Sequence, residues 1–311
     1  MKVKTNGKSF GIEIECASFI NPDDLVENVR MNTGIDIRNE YNDYNHITRT
    51  WWKIVPDGSI GSSSGGQYWK TEIVSPILKN AAGFKQLENI CNVIQSYGNR
   101  IQVNSSTGIH VHVNVTRKRF KESKKSGIPI KRLIVNEVLN VLFFYARYEN
   151  AIDFLHPQSR RNASYSKHVF DTANRIFCNT VDTWNYFTNV KSIHDSYSGY
   201  DSRKRYFSVN IESYMKYGTI EFRQHAGSTD AEKLSRWIEF LQAIIKCSYE
   251  KYTLQSKLVD IYHPFNGCNG NAIEYVKSLF EELKPYLKPS TIRYYRKRYN
   301  QFAETENRPK W

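Results

Sequence analysis

Residues 219–228, TIEFRQHAGS, admit few arrangements. Read as a strand, the segment alternates its side chains between two faces. Ile220 and Phe222 then point to one side, while Glu221, Arg223 and His225 stand in a row on the other, each about 6.5 Å from the next. A carboxylate, a guanidinium and an imidazole on one sheet face need counter-charges, a metal or an anionic ligand beside them. The segment predicts a sheet with one apolar face and one chemically loaded face.

Other stretches repeat that pattern. In FGIEIEC (10–16), Phe10, Ile12 and Ile14 share one face, and Gly11, Glu13 and Glu15 share the other. IHVHVNV (109–115) sets His110, His112 and Asn114 against Val111, Val113 and Val115. WWKIVPDGSIGSSSGGQYWKTEIVSPIL (51–78) reads as two strands joined by a Gly/Ser connection, and RYFSVNIES (205–213) as a strand forming a hairpin with 219–226 across a turn at Met215–Gly218. Helical spacing recurs at 84–97, closed by Gly98, and at 130–155, with a short helix at 167–177 and two more at 271–284 and 290–303. Asn21-Pro22 starts a helix, and Thr229 or Asp230 caps another. Residues 33–50 show no period and read as loop. Alternating rather than continuously apolar strands predict an α+β fold on a mainly antiparallel sheet. The expected organisation is one domain over 1–311, with a motif core at 10–230 and a helical C-terminal portion at 231–311.

A chain of 311 residues can bury a sizeable core, and 40% hydrophobic content with 14% aromatics argues for a globular fold. No run of about 18 apolar residues predicts a membrane span. Five scattered cysteines without CxxC spacing fit a reduced, cytoplasmic protein rather than a zinc knuckle or a disulfide framework. The net charge of +13 is concentrated. Residues 117–132 carry eight Lys or Arg against one Glu, and KPYLKPSTIRYYRKRY (284–299) interleaves bases with tyrosines. Both are candidate contacts for a polyanion such as nucleic acid, against the plainer reading of solvated surface.

HxH on a strand is a familiar metal-ligand spacing, and the excess of carboxylates over histidines favours Mg²⁺ or Mn²⁺ over zinc. There is no P-loop, no GxGxxG after a strand and no nucleophile elbow. In order along the chain stand GIEIE, DGS, EIVSP, GIHVHV, RYFSVNI and TIEFR with a downstream Gly-Ser-Thr. This ordered series resembles the putative amidoligase family, within the glutamine synthetase and glutamate–cysteine ligase superfamily of carboxylate–amine ligases.

The resemblance implies a glutamine synthetase-like catalytic sheet whose polar face forms an ATP and metal cleft, with helices packed outside. It implies Glu13, Glu15, Glu72, His110 and Glu221 as metal ligands, and His112, Arg205 and Arg223 at the nucleotide. Asp57, Ser59, Asn210 and Arg160 or Arg161 correspond to substrate-side residues, and Asp57, Glu221 and Arg223 to the catalytic set. The expected reaction is ATP-dependent joining of a small-molecule or peptide carboxylate to an amine through an acyl phosphate. Such phosphoryl transfer calls for positioning and charge neutralisation, which several acids holding divalent cations and an arginine can supply. Asp57 could accept the proton of the attacking amine. The alternatives are a nucleic-acid-binding protein on a degenerate ligase fold, and a metal-dependent hydrolase built on HVH with carboxylates and working without ATP.

Overall fold

A computed structural model describes residues 8–42, 45, 47–61, 66–115, 130–161, 163–169, 206–210, 212–251 and 272–311. The protein is mixed α+β with mostly antiparallel strand pairing. It groups into two compact units, Met1–Val113 with Gln224–Glu239, and Asn114–Arg223 with Phe240–Trp311.

In the first unit, strand β1 (Phe10–Ser18) is central. It pairs antiparallel with β4 (Trp69–Val74) on one side and β6 (Gly108–Asn114) on the other, and β5 (Ile101–Gln102) adds a short pairing to its end. Beyond β4 lies β3 (Trp52–Pro56), antiparallel to it, and then β2 (Ile37–Asn39), parallel to β3. Phe10, Ile12, Ile14, Ile109, Val111 and Val113 are all buried, as their alternation predicts. Helix α1 (Pro22–Thr33) starts where Asn21 Oδ1 accepts the Asp23 N–H, with Pro22 in its first turn. Helix α2 (Asn80–Ser96) presents Phe84 to Phe10, with ring centroids 4.9 Å apart. Gly98 follows it at φ +55°, a left-handed conformation suited to glycine.

In the second unit, α3 (Ile130–Asp153) buries Val138, Val141, Leu142, Tyr145 and Ile152, and Tyr145 meets Phe222 at 5.7 Å between ring centroids. Strands β7 (Val209–Asn210) and β8 (Thr219–Ala226) pair antiparallel, with α4 (Glu212–Tyr217) between them. Helix α5 (Ala231–Lys251) is capped by Asp230, whose Oδ1 accepts the Lys233 N–H. Helices α6 (Ala272–Leu283) and α7 (Pro289–Thr305) pack through Phe240, Phe280 and Tyr295.

Three expectations change. Residues 33–50 are not all loop, because Ile37 is buried and β2 pairs with β3. Three residues are too few to show a period. Among the described residues of 205–213, only Val209 and Asn210 pair with β8, and the expected turn falls in the helix α4. Gly218, at φ +68°, ends that helix with its N–H on the Tyr214 carbonyl. Nor do 167–169 begin a helix; Lys167 bridges parallel to Phe207, and 170–177 lie outside the described residues.

Candidate active site

The β-ladder of the first unit decides which side chains meet. In β1 and β4, Glu15 stands opposite Glu72; in β1 and β6, Glu13 stands opposite His110, and Gly11 opposite His112. Directly opposed residues share a face. Glu13, Glu15, Glu72, His110 and His112 therefore line one surface, with the apolar set behind it.

The contacts are close. His110 Nδ1 lies 2.9 Å from Glu13 Oε2, and its Nε2 lies 3.2 Å from Glu15 Oε1. His112 Nε2 is 3.3 Å from Glu13 Oε1. Glu15 is buried and its Oε2 accepts the Gly108 N–H at 2.6 Å, which fixes the carboxylate. A neutral imidazole donates from one nitrogen only. Both His110 nitrogens thus face carboxylate oxygens.

The acids divide electrostatically. Burial works against the charge of Glu13, yet hydrogen bonds from His110 and His112 and their charges hold its carboxyl well below the usual range. Burial, followed by the charges of Glu13, Glu15 and Asp57, pushes Glu72 well above it. Within this unit two sets of side chains bring their ligand atoms within 4.8 Å of one another, Glu13–Glu72–His110 and Glu15–Asp57–Glu72. Glu72 belongs to both. A surplus of carboxylate charge with one imidazole is a donor set that fits hard divalent cations.

Asp57, just beyond β3, joins this group, and its Oδ1 accepts both the N–H and the O–H of Ser59 at 2.8 Å. Lys53 was not foreseen. It is buried on β3, with Nζ donating to Asn45 O and Oδ1 at 2.9 Å and to Ile47 O at 3.1 Å. Burial lowers its pKa, while Glu40, Glu72 and Glu13 act in the opposite direction. A lysine inside the otherwise apolar run WKIVP was the available signal. Cys16, on the apolar face of β1, is inert by environment: burial and then Glu15 push its thiol up to about 12.

The second unit holds the other group. Asn210 is opposite Glu221, and its Nδ2 donates to Glu221 Oε2 at 2.6 Å. Arg223 Nη1 donates to Glu221 Oε1, and its Nε donates to the Tyr165 carbonyl at 3.2 Å. Arg160 is buried and donates from Nη2 to the Arg223 carbonyl at 2.7 Å. Arg161 turns elsewhere, gripping both carboxylate oxygens of Glu306 at 2.6 and 2.8 Å and the carbonyls of Asp153 and His156. Arg205 and residues 117–129 lie outside the described residues. In 284–299, Tyr295 and Tyr299 are buried, and Arg293, Arg296 and Lys297 are exposed. His225 on β8 belongs to the first unit, where it is buried with its ring 5.5 Å from Trp237.

Residues 6–245 match the model of a family described as "Putative amidoligase enzyme". None of the curated proteins matches the sequence significantly. Among solved structures, the chain is similar to a bifunctional glutathione synthetase from Pasteurella multocida, with 11% identity and a TM-score of 0.46. The similarity covers 96% of this chain and 48% of that one, so the chain spans about half the length of that enzyme. Among the described residues, no helix is long and apolar enough to cross a membrane.

Proposed function

The chain belongs to the amidoligase family, and from that premise we propose that it joins a carboxylate to an amine at the expense of ATP, on a glutamine synthetase-like sheet with Mg²⁺ or Mn²⁺ held by β1, β4 and β6. The observation that carries this reading is the cluster around Glu72, whose ligand oxygens gather within 4.8 Å of those of Glu13, Glu15 and Asp57 and the ring of His110, and where burial and then the three acids' charges press the Glu72 carboxyl toward its neutral form. Glu13, Glu15, Glu72, Asp57 and His110 are the residues that would hold the cations. Bound there, divalent cations would neutralise phosphate charge and orient the nucleotide.

The remaining roles belong to the chain itself. Glu15, tied to the Gly108 N–H, keeps its carboxylate aimed without reorganising. His112 holds one oxygen of Glu13 and so orients the other toward His110. Arg223 is the group for phosphate charge, with Glu221 fixing its guanidinium and Asn210 fixing Glu221. Asp57 combines two possibilities of one carboxylate: Ser59 occupies Oδ1, and Oδ2 remains to meet a cation or accept the proton of an attacking amine.

Calorimetric titration of Mg-ATP into the wild type and Glu15→Ala, with a Mg²⁺-free control, tests the reading. Magnesium-dependent binding that disappears in the variant is expected, followed by ADP release when the right carboxylate and amine are supplied. Absence of Mg-ATP binding to the folded wild type would overturn it and favour the metal-dependent hydrolase.

A further inference from the structure

Helix α3 places a glutamate where its own pattern calls for an apolar residue. Glu149 lies on the buried stripe of Leu142, Tyr145 and Ile152, and only 4% of it is exposed. A carboxyl there must be satisfied locally. One of its oxygens, Oε1, accepts the Val169 N–H at 2.8 Å and the Ser208 O–H at 2.6 Å. Those donors come from two adjacent segments, 165–169 and 206–208, bridged at Lys167 and Phe207.

Both segments carry Arg223. Lys167 N–H donates to the Tyr206 carbonyl at 2.8 Å, and Ser208 N–H to the Lys167 carbonyl at 2.7 Å, which locks the segments together. The Ser208 carbonyl accepts the Arg223 N–H at 2.9 Å, holding its backbone. The Tyr165 carbonyl accepts the Arg223 Nε–H, holding its side chain. We propose that Glu149 is a positioning residue for Arg223: by clamping Val169 and Ser208 on one carboxyl oxygen, it sets the two segments whose carbonyls fix that arginine. Its functional weight rests on the ligase reading above, in which Arg223 meets phosphate charge.

The charge of Glu149 is not what the clamp uses. Burial raises its carboxyl to about 7 against the opposing pull of His168, Ser208 and the Val169 N–H, with Asp153 adding a like charge. An amide oxygen accepts the same two hydrogen bonds, so Glu149→Gln preserves the clamp and Glu149→Leu abolishes it. The 165–169 segment has its own second tie, since His168 Nε2 lies 2.7 Å from Asp153 Oδ2. Loss of Glu149 is therefore expected to loosen the segments rather than release them.

The test is hydrogen exchange of the Arg223 Nε–H in ¹⁵N-labelled full-length protein, its signal assigned by its loss in Arg223→Lys. Glu149→Leu is expected to speed exchange by about tenfold or more, with Glu149→Gln close to wild type. A residue that merely stabilises the fold would lower the melting temperature and leave this proton's exchange unchanged well below it. Ser208→Ala, which removes one donor, should give an intermediate rate and serves if Glu149→Leu does not fold. Unchanged protection in Glu149→Leu or Ser208→Ala overturns the proposal, as does a Gln variant as loose as the Leu variant. In turnover assays, kcat/KM for ATP should fall as exchange quickens and recover in Glu149→Gln. If the exchange pattern holds and the wild type turns over no nucleotide, the ligase reading fails and the positioning role stands.

Discussion

Replacing Glu72 by Gln should stabilise the metal-free protein, although it alters a residue of the candidate site. Ligand oxygens of Glu72 lie within 4.8 Å of those of Glu13, Glu15 and Asp57. At that separation and an effective dielectric near 20, each ionised pair costs about 3 kcal/mol. Burial, and then avoidance of that repulsion, favour a retained proton in the folded protein, so the Glu72 carboxyl is raised well above its usual value. For a group raised on folding, the stabilising contribution is complete below the unfolded pKa and is lost as pH rises through the folded one. Glutamine cannot lose that proton. Without metal, Glu72→Gln should thus match the wild type near about pH 4 and gain on it toward about pH 8, by about 1.4 kcal/mol for each unit of the shift. Such a gain would be read as a higher melting temperature of the variant at the alkaline end. Saturating Mg²⁺ should reverse the order, because it stabilises the wild type by mass action and finds one carboxylate fewer in the variant. Thermal denaturation in EDTA and in Mg²⁺ across this pH range checks both halves. A variant less stable than wild type in EDTA at the alkaline end would refute the electrostatic reasoning.

Gly227→Ala should destabilise the protein by about 2–4 kcal/mol in chemical denaturation, since its Cβ would sit 2.0 Å from Thr107 Oγ1 and 2.9 Å from Thr107 Cβ. Pairing it with Thr107→Gly should recover part of that loss. Cys16 should resist alkylation in the native state, because its buried thiol is raised to about 12; labelling before unfolding, read by mass spectrometry, would contradict that environment. The basic surface of α7 is proposed to contact polyanions through Arg293, Arg296 and Lys297, and Arg293→Glu with Lys297→Glu should weaken oligonucleotide binding and flatten its salt dependence. Binding of equal strength and equal salt slope in that variant would remove the idea.

The period-two alternation made the strand faces legible, and with them Glu13 and Glu15, His110 and His112, and Glu221 and Arg223 as same-face sets. Alternation cannot give register, yet register is what sets Glu15 against Glu72 and Glu13 against His110, a residue 97 positions away. Local pattern failed where tertiary pairing decides the conformation. Ile37–Asn39 becomes a strand through β3 rather than through any propensity of three residues. Residues 212–217 become a helix although the flanking alternation suggested a hairpin. Of the adjacent Arg160 and Arg161, the sequence offered no means to choose, because Arg161 is claimed by Glu306, 145 residues on.

Glu149 is the sharpest case of the same limit. Nothing in α3 names its donors, Val169 and Ser208, which lie 20 and 59 positions away. What marks it physically is the conflict between stripe and residue: an ionisable group on a face of leucine, tyrosine and isoleucine costs free energy unless the surroundings supply partners. Lys53 carries the same mark inside WKIVP, and the structure again supplies partners, the oxygens of Asn45 and Ile47. A polar residue that breaks its own element's apolar pattern thus locates points where distant segments are held in place. In this protein those points lie on the acid-bearing face in one unit, where Lys53 stands across Val74 from Glu13, and behind Arg223 in the other, where chemistry that depends on fixed charge most needs a rigid support.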